Sequence, residues 1–311
     1  MKVLSWNVAG IRAVLKKGAL EFVLKGEYDV LQTLAVDEKS KLLYFIASPN
    51  NATQRYLYKV SLDGKGKLEM VTPNELEGSH NYQISPKANF AFHKFSNYYT
   101  KPMSQLIRLP SHNSINKGES ISEKFNPSLK DNHPLNFFQI TTVDNVTMDG
   151  WIVKPKNMDP NKKYPILFYF YSEPAGTTAV DRYGVGNTRL YNGDLREDGY
   201  VYVSFDGRGT PSPKGRAWRK AIYRNIGKIN VRDMGMGALE VFKKFDAFGT
   251  GYNNYIKNIK NYNNFKYISK NFLNKDENVL DLLSNMLVKN PNNRYSIKDV
   301  LNHKYISLTI L

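Results

Sequence analysis

Residues 199–220 read "GYVYVSFDGRGTPSPKGRAWRK" and join an apolar run to a basic segment rich in glycine and proline. The run "YVYVSF" lacks alternation, which is typical of a strand buried on both faces of an α/β sheet. Gly207 and Gly209 suit a tight exit from that strand, because glycine adopts uncommon dihedral angles at low cost. Pro211 and Pro213 lack amide donors, which weakens any backbone cradle for phosphate. The stretch therefore predicts a buried strand followed by a structural turn.

The surrounding residues extend this pattern. "YPILFYFY" (164–171) is a second apolar run and predicts another strand buried on both faces. "FFQITTVDNVTMDGWIVKP" (137–155) is typical of a hairpin, and "NVRDMGMGALEVFKKF" (230–245) predicts a helix. Residues 134–243 are therefore expected to form an α/β layer.

The preceding part of the chain, residues 34–133, has a β pattern. Tyr56, Tyr58, Val60 and Leu62 alternate with Arg55, Leu57, Lys59 and Ser61, which predicts a half-buried strand. Asp63-Gly64 then predicts a hairpin turn. "YQISPKANFAFHKFS" (82–96) repeats the alternation, and residues 110–134 form a polar connector. Several short strands of this kind predict a sandwich or a propeller sheet.

The two ends differ from the middle. Residues 1–33 predict a strand, a helix and a second strand, "YDVLQT". Residues 244–311 are rich in Asn and Lys and predict helices. In "DENVLDLLSNMLVK", apolar residues recur at helical spacing, which indicates a core-facing stripe. The predicted domains are thus 1–33, 34–133, 134–243 and 244–311.

Charge and composition narrow the classes of partner. The 311-residue chain has a formal net charge of +16 and no cysteine, so disulfides and thiol nucleophiles are excluded. A basic chain favours anionic partners, although a biased Lys and Asn composition is the favoured explanation of the charge. No apolar run of about 18 residues predicts a membrane span, and no secretory signal is recognised. Localisation and oligomeric state are left open.

Common motifs for cofactor, metal and nucleophile sites are missing. The sequence contains no G-x-x-x-x-G-K-[ST], G-x-G-x-x-G, H-E-x-x-H or G-x-S-x-G. The histidines are scattered, and each is predicted to be a surface or partly buried structural residue: His80, His93, His112, His133 and His303. No cofactor and no metal site is therefore predicted.

Residues 34–243 resemble the dipeptidyl peptidase IV enzymes of the prolyl oligopeptidase family. "TLAVDEKSKLLYFIASPNNATQRYLYKVSLDGKGKLEMVTP" is similar to the last part of that family's β-propeller. "TTVDNVTMDGWIVKPKNMDPNKKYPILFYFYSEPAG" and "DGYVYVSFDGRGTPSPKGRAWRKAIYRNIGKINVRDMGMGALEVF" are similar to the entry into its α/β-hydrolase domain. The expected fold class is mixed α/β: a partial propeller-like antiparallel sheet, a truncated hydrolase sheet and a helical C-terminal segment.

The resemblance implies a serine exopeptidase that releases N-terminal X-Pro or X-Ala dipeptides from a peptide substrate. It places Tyr171 at the family's oxyanion-hole tyrosine, where a phenol stabilises developing negative charge. The family's nucleophile elbow should follow the helix that ends at Phe242, but the sequence continues as "KKFDAFGTGYNN". Asp281 and His303 lack the family's context, and the propeller's paired glutamates belong to blades outside the resemblance. The catalytic set is incomplete, so an inactive chain is expected.

The ends resemble other families. Residues 1–33 are similar to the start of apurinic/apyrimidinic endonucleases of the exonuclease III kind, and Asn7 in "SWNVAG" matches their active-site asparagine. The metal-binding glutamate of that family has no counterpart after Gln32. "VLDLLSNMLVKNPNNRYSIKDVLNHKYI" resembles the end of a protein kinase domain, where Arg294 and His303 match structural positions. We hypothesise a composite chain with seams at Thr33/Leu34 and near residues 242–251.

Two further functions remain open. From Arg208 to Arg232 there are eight Lys or Arg and no Asp or Glu, with Trp218 and Tyr223 interleaved. This pattern is compatible with nucleic-acid binding or with a solvated face of the hydrolase layer. A non-catalytic interaction module is the other alternative, because incomplete sheets leave open strand edges.

Overall fold

The computed structural model describes residues 29–62, 66–159, 161–188 and 191–245. All of them belong to the first of two units into which the chain divides, Met1–Phe248. Three predictions lie outside the described residues: the elements before residue 29, the turn at Asp63-Gly64, and the helices after residue 245. The described part contains three four-stranded sheets and a few helices.

The first sheet is antiparallel, with the order β1-β2-β3-β4. Its strands are β1 (Val30–Asp37), β2 (Leu42–Ala47), β3 (Tyr56–Ser61) and β4 (Glu69–Met70). The predicted alternation in β3 is confirmed for Tyr56, Tyr58 and Val60, which are buried together on one face. Leu57 on the opposite face is also fully buried. The prediction of a half-buried strand was therefore wrong, because the second sheet covers the other face.

The second sheet is also antiparallel, with the order β5-β6-β7-β8. Its strands are β5 (Ser79–Ile84), β6 (Phe90–Asn97), β7 (Thr100–Arg108) and β8 (Asn113–Ser114). Burial alternates along β6, as predicted, with Ala91, His93 and Phe95 facing inward. Ala91 joins Leu57 of β3 in one apolar cluster, so the first two sheets share a core.

The third sheet is mixed and has the order β11-β12-β10-β9. Its strands are β9 (Leu135–Thr141), β10 (Thr147–Val153), β11 (Ile166–Phe168) and β12 (Val201–Phe205). β9 and β10 form the predicted hairpin, β12 pairs antiparallel with β10, and β11 pairs parallel with β12. Every residue of β12 is buried, as predicted.

β11 differs from its prediction as a strand buried on both faces. It has three residues, and Leu167 is 38% exposed. The physical reason is its position: β11 lies at the edge of the described sheet and pairs only with β12. The apolar run therefore predicted that residues 166–168 form a strand, but it did not predict that this strand pairs on one side only.

Helices are few among the described residues. They are α1 (Ile121–Lys124), the 3₁₀ helix η1 (Pro127–Lys130), α2 (Gly215–Lys220) and α3 (Lys228–Lys244). α3 confirms the predicted helix and begins two residues before it. β8, α1 and η1 lie within the predicted connector 110–134, which is thus partly ordered into short elements. No helix in the described ranges has the length and apolarity needed to cross a membrane.

Asp181 connects the third sheet to the first two. Its side chain is 3% exposed. Oδ2 accepts a hydrogen bond from Gln54 Nε2 at 2.8 Å, and Oδ1 accepts one from the backbone N–H of Tyr98 at 2.9 Å. The main chain of Asp181 adds bonds to Ser79 Oγ and to the carbonyl of Thr53. We call this set the Asp181 junction.

Candidate functional site

Tyr171 lies three residues beyond the end of β11, at the carboxyl edge of the third sheet. Because β11 and β12 are parallel, the same edge also receives the residues that follow β12, beginning with Asp206. Open α/β sheets bind ligands in the crevice at this edge. Tyr171 is 45% exposed, so its phenol is accessible to solvent.

The segment 169–178, which we call the tyrosine loop, is anchored at both ends. At its start the backbone N–H of Tyr169 donates to Val203 O at 2.9 Å, and Ser204 Oγ donates to Tyr169 O at 2.6 Å. In its middle Asn230 Nδ2 of α3 donates to Ser172 O. The loop is therefore held by β12 and by α3.

The ring of Tyr171 packs against Gly176 of the same loop. A Cβ atom at residue 176 would be 3.1 Å from Cε1 and 3.3 Å from Cδ1 of Tyr171. The ring thus packs directly on the glycine backbone, and a larger residue would displace it. Ser172 beside it has a φ of 48°, a left-handed conformation that is costly for a non-glycine residue.

Asp206 closes the far end of the tyrosine loop. Its carboxylate accepts hydrogen bonds from Thr178 N, Ala179 N and Thr178 Oγ1, each at 2.9 Å. Burial raises the pKa of Asp206, and these hydrogen bonds oppose that rise. A carboxylate with three local donors acts here as a structural clamp.

Two polar atoms of this region are buried without a hydrogen-bond partner: Ser172 Oγ and Asn230 Oδ1. Ser172 follows Tyr171 in the tyrosine loop, and Asn230 belongs to α3. Neither residue was predicted as functional from the sequence. Asn230 stands at the start of the predicted helix, but no motif distinguished it from other asparagines.

Half of the basic residues in the stretch Arg208–Arg232 form ion pairs with carboxylates outside the stretch. Arg208 forms a two-pronged interaction with Asp233, with Nη2 2.6 Å from Oδ1 and Nε 3.0 Å from Oδ2. The remaining ion pairs are Arg208 with Asp144, Lys214 with Asp149, Arg219 with Asp29, and Arg232 with Asp144. Half of the eight basic residues therefore hold the fold together.

Of the two aromatic residues considered for stacking in that stretch, Trp218 packs within the fold and Tyr223 is exposed. Trp218 donates from Nε1 to Thr210 Oγ1 at 3.3 Å, and Lys214 Nζ lies 4.6 Å from its ring centroid. Tyr223 is 65% exposed, with the Arg224 guanidinium 5.3 Å from its ring. Only Tyr223 remains available for stacking, and nucleic-acid binding stays a prediction.

Three of the histidines meet in the second sheet, although the sequence shows them as scattered. His93 Nε2 lies 2.8 Å from His80 Nδ1, and Gln105 Nε2 lies 3.1 Å from His93 Nδ1. His80 Nε2 reaches Leu76 O at 2.8 Å. His112 Nε2 bonds to Tyr82 Oη at 2.9 Å, and Tyr82 stacks on His93 at 4.4 Å. We call these residues the histidine network.

The partners determine the tautomers of the histidine network. Gln105 Oε1 accepts from the backbone N–H of Ile121 at 2.9 Å, so its amide nitrogen must donate to His93 Nδ1. His93 Nε2–H then donates to His80 Nδ1, and His80 Nε2–H donates to Leu76 O. Every ring nitrogen of the pair is satisfied in its neutral form. Burial lowers the pKa of His80 to about 3 and that of His112 to about 4, and it also lowers the pKa of His93.

The alternation of inward residues in β6 was the available signal for His93, since it lies between Ala91 and Phe95. The predicted surface or partly buried position of His80, His93 and His112 is wrong, since all three are buried. The alternation in β5 and β6 turns His80 and His93 inward. Within the described ranges no group of three or more His, Asp or Glu is arranged to hold a metal ion.

Two clefts lie away from Tyr171. The first has a volume of about 470 Å³ and opens beside the start of β7. The second, of about 420 Å³, lies against the third sheet, and both are lined by His133 and Tyr183. Neither cleft is lined by Tyr171. The other predicted positions, Asn7, Asp281, Arg294 and His303, lie outside the described residues.

Comparison with known proteins shows sequence similarity to dipeptidyl peptidases. Residues 12–102 match the family described as the dipeptidyl peptidase IV (DPP IV) N-terminal region. The probable dipeptidyl-aminopeptidase B of Botryotinia fuckeliana is 31% identical over 214 residues, which are 67% of this chain and 22% of that protein. The protein of the same name from Talaromyces marneffei is 32% identical over 67% of this chain and 23% of its own length.

A solved structure extends the likeness to the fold. The crystal structure of Porphyromonas gingivalis dipeptidyl peptidase 4 superposes with a TM-score of 0.59 and 23% identity, covering 71% of this chain and 30% of that chain. The chain spans about a fifth of the length of the curated relatives it matches, since it covers 22% of the first. The predicted similarity to dipeptidyl peptidase IV is confirmed, as is a mixed architecture of sheets with few helices.

The other predicted resemblances are not shown by these comparisons, and the endonuclease-like and kinase-like ends remain predictions. The predicted seam at Thr33/Leu34 falls inside β1, which pairs with β2 from Val30 to Asp37 with a register shift between Thr33 and Ala35. The family match also begins before that seam, at residue 12. The strand and the family match both run across that position, and a composite origin remains a prediction.

Proposed function

We propose that this chain is a dipeptidyl peptidase-like segment in which Tyr171 is an oxyanion-hole donor. The carrying observation is the position of Tyr171 beyond β11, on a loop anchored to β12 and α3. A phenol held at the edge of a parallel strand pair is suited to donate a hydrogen bond to an oxygen that gains negative charge. The peptide substrates would carry Pro or Ala at the second position.

The arrangement of the sheets supports a division of this segment into a propeller-like part and a hydrolase-like part. The first two sheets each have four antiparallel strands, like the blades of a propeller. The third sheet, ordered β11-β12-β10-β9, is what we propose to be the entry of an α/β-hydrolase sheet. The similar proteins are a probable dipeptidyl-aminopeptidase B and a dipeptidyl peptidase 4, which favours the same interpretation.

The 311 residues contain no G-x-S-x-G, so we propose that this chain alone does not hydrolyse peptides. Nucleophilic catalysis needs a nucleophile, a base and a group that orients the base. The tyrosine loop contributes only the stabilisation of the oxyanion. The nucleophile, the base and the orienting group would have to come from residues outside the described part of the chain.

A fluorogenic Gly-Pro amide tests the absence of a nucleophile. We expect no turnover above buffer for the full chain and no change in Tyr171→Phe. Tyr183→Phe is the matched control, because Tyr183 is exposed to the same extent, 46% against 45%. Turnover that disappears in Tyr171→Phe and persists in Tyr183→Phe would contradict the proposed inactivity.

A graft tests the role of Tyr171 itself. Residues 134–245 would replace the matching segment of the Botryotinia relative, after that relative is shown to cleave the Gly-Pro amide. We expect Tyr171→Phe in the graft to lower kcat by about 100-fold or more, as loss of an oxyanion donor does. An active graft that is indifferent to Tyr171→Phe would refute the assignment.

A further inference from the structure

Arg55 is a half-buried arginine that has no acidic partner among the described residues. It directly precedes β3, and none of the ion pairs in the described part of the chain includes it. Charges withdrawn from water are normally paired, because an unpaired charge in such a place is costly. The arginines of the basic stretch that contact a carboxylate are Arg208, Arg219 and Arg232. Arg55 therefore carries a charge for which the described fold supplies no counter-ion.

One half of the Arg55 guanidinium is anchored, and the other half is free. Nη1 donates to Ala52 O at 2.8 Å and to Gln54 O at 2.7 Å, which holds the planar group in one orientation. Nε and Nη2 make no hydrogen bond with a described residue. Neither is among the three buried side-chain atoms that lack a partner in the described part of the chain, so both reach the solvent. The N–H groups of Nε and Nη2 form a fork that matches the two oxygens of a carboxylate.

Arg55 lies at the boundary between the first sheet and the third sheet. The preceding residues Thr53 and Gln54 both bond to Asp181, in the Asp181 junction. Asp206, which follows β12 and closes the tyrosine loop, acts on Arg55 through its charge. The free fork is therefore within electrostatic range of the carboxyl edge of the third sheet. Boundaries between structural units and the carboxyl edges of parallel strands are the usual places of ligand sites.

The Arg55 guanidinium keeps its charge at neutral pH. Burial lowers the pKa of Arg55 to about 10, and the negative charge of Asp206 opposes part of this decrease. The carboxylate of Asp206 is already engaged, because it accepts hydrogen bonds from Thr178 and Ala179. A carboxylate brought by a ligand would supply the missing ion-pair partner. Folding has already removed part of the water around Arg55, so less desolvation remains to oppose binding.

We propose that Arg55 binds a carboxylate of the peptide substrate through parallel hydrogen bonds from Nε and Nη2. The carboxylate belongs either to an acidic side chain or to the C-terminus of a short peptide, since both present two oxygens to the fork. This inference rests on the proposed dipeptidyl peptidase-like function, which supplies a peptide with Pro or Ala at the second position. It adds a preference for peptides that carry a carboxylate.

Three peptides titrated into the full chain by ligand-observed NMR test the proposal. Ala-Pro-Gln-amide has no carboxylate, Ala-Pro-Glu-amide has one on its side chain, and Ala-Pro-Gln with a free carboxyl terminus has one on its main chain. We expect at least one of the two acidic peptides to bind about tenfold or more tightly than Ala-Pro-Gln-amide, as a charge-assisted bidentate pair does. The acidic peptide that shows the gain identifies the source of the carboxylate.

Variants of Arg55 assign the preference to its fork. Arg55→Gln removes the charge and the fork, so it should abolish the gain and leave the Kd of Ala-Pro-Gln-amide unchanged. Arg55→Lys keeps the charge without the fork and should retain only about a two- to threefold preference. Arg108→Gln is the matched control and should keep the full preference. Arg108 is an exposed arginine of β7 whose guanidinium lies 5.3 Å from the ring centroid of Phe90.

The outcomes separate this inference from the function on which it rests. Equal binding of the three peptides by the wild-type chain would overturn the role of Arg55 and leave peptide binding standing. A preference that persists in Arg55→Gln would also overturn it. No binding of any peptide up to about 5 mM would overturn both the role of Arg55 and peptide binding by this chain. The wild-type comparison needs no variant, and unchanged binding of Ala-Pro-Gln-amide shows that Arg55→Gln keeps its fold.

Discussion

At the scale of single residues, the histidine network ties stability to pH. Burial holds the pKa of His80 at about 3 and of His112 at about 4, below the ordinary value of 6.5, and lowers that of His93 as well. The unfolded chain therefore binds more protons than the folded chain once the pH falls below 6.5. Stability is fully present above that pH and is lost progressively as the pH falls toward the folded values.

We predict that the free energy of unfolding in urea falls between pH 6.5 and pH 4.5 by about 1 kcal/mol per pH unit for each buried histidine. His112→Gln keeps an acceptor for Tyr82 and removes one titrating group, so its slope should be smaller by about that amount. Asp181 acts in the opposite direction, because burial raises its pKa to about 6. A stability that is flat over this range, or an unchanged slope in His112→Gln, would contradict the prediction.

Sequence patterns identified some of the buried and site residues and missed others. The alternation in β6 identifies His93 as an inward residue, since Ala91 and Phe95 flank it at a period of two. The same pattern says nothing of His112, which comes from a turn with a φ of 61° and meets Tyr82 across the sheet. Tyr171 was identified only by family resemblance, and Asn230 by neither route.

At the scale of elements, α3 packs on β12 through a glycine. A Cβ atom on Gly237 would lie 2.4 Å from Cε2 and 2.6 Å from Cζ of Phe205. Helix and strand approach this closely only because residue 237 has no side chain. A Cβ atom on Gly235, two residues earlier, would have no neighbouring atom within 4 Å. The two glycines therefore make a matched pair within one helix.

We predict opposite effects for the two alanine variants. Gly237→Ala should lower the free energy of unfolding by about 1–3 kcal/mol, because the new methyl group overpacks Phe205. Gly235→Ala should raise it by about 0.5–1 kcal/mol, because alanine is the better helix former at an open position. Urea titrations of both variants check this, and equal effects of the same sign would show that α3 does not pack as described.

At the scale of the whole described unit, the Asp181 junction joins the third sheet to the first two. Gln54, Ser79 and Tyr98 belong to the first two sheets or their turns, and Asp181 follows the tyrosine loop. Replacing the carboxylate leaves two donors without acceptors in a buried place. Such donors cost about 1–3 kcal/mol each.

We predict that the wild-type chain unfolds in a single cooperative transition and that Asp181→Ala separates it into two. Far-ultraviolet circular dichroism follows all sheets. In a Trp6→Phe background, tryptophan emission follows only Trp151 and Trp218, which belong to the third-sheet region. The two probes should coincide in the wild type and diverge in Asp181→Ala.

The exposed Asp131→Ala is the control for the junction and should leave the two probes coincident. Coincident transitions in Asp181→Ala would mean that the apolar contacts alone couple the sheets. Divergent transitions in the wild type would mean that the three sheets do not share one folding unit.

Local patterns were sufficient for the strands β3, β6, β9, β10 and β12 and for α3, because side-chain period is a property of neighbouring residues. Tertiary structure alone decided the two-sided burial of Leu57, the edge position of β11, and the ion pairs that neutralise half of the basic stretch. It also brought together the Asp181 junction and the histidine network. These depend on residues far apart in the chain, such as Gln54 and Asp181, whose encounter is determined by sheet packing and leaves no mark in either local sequence.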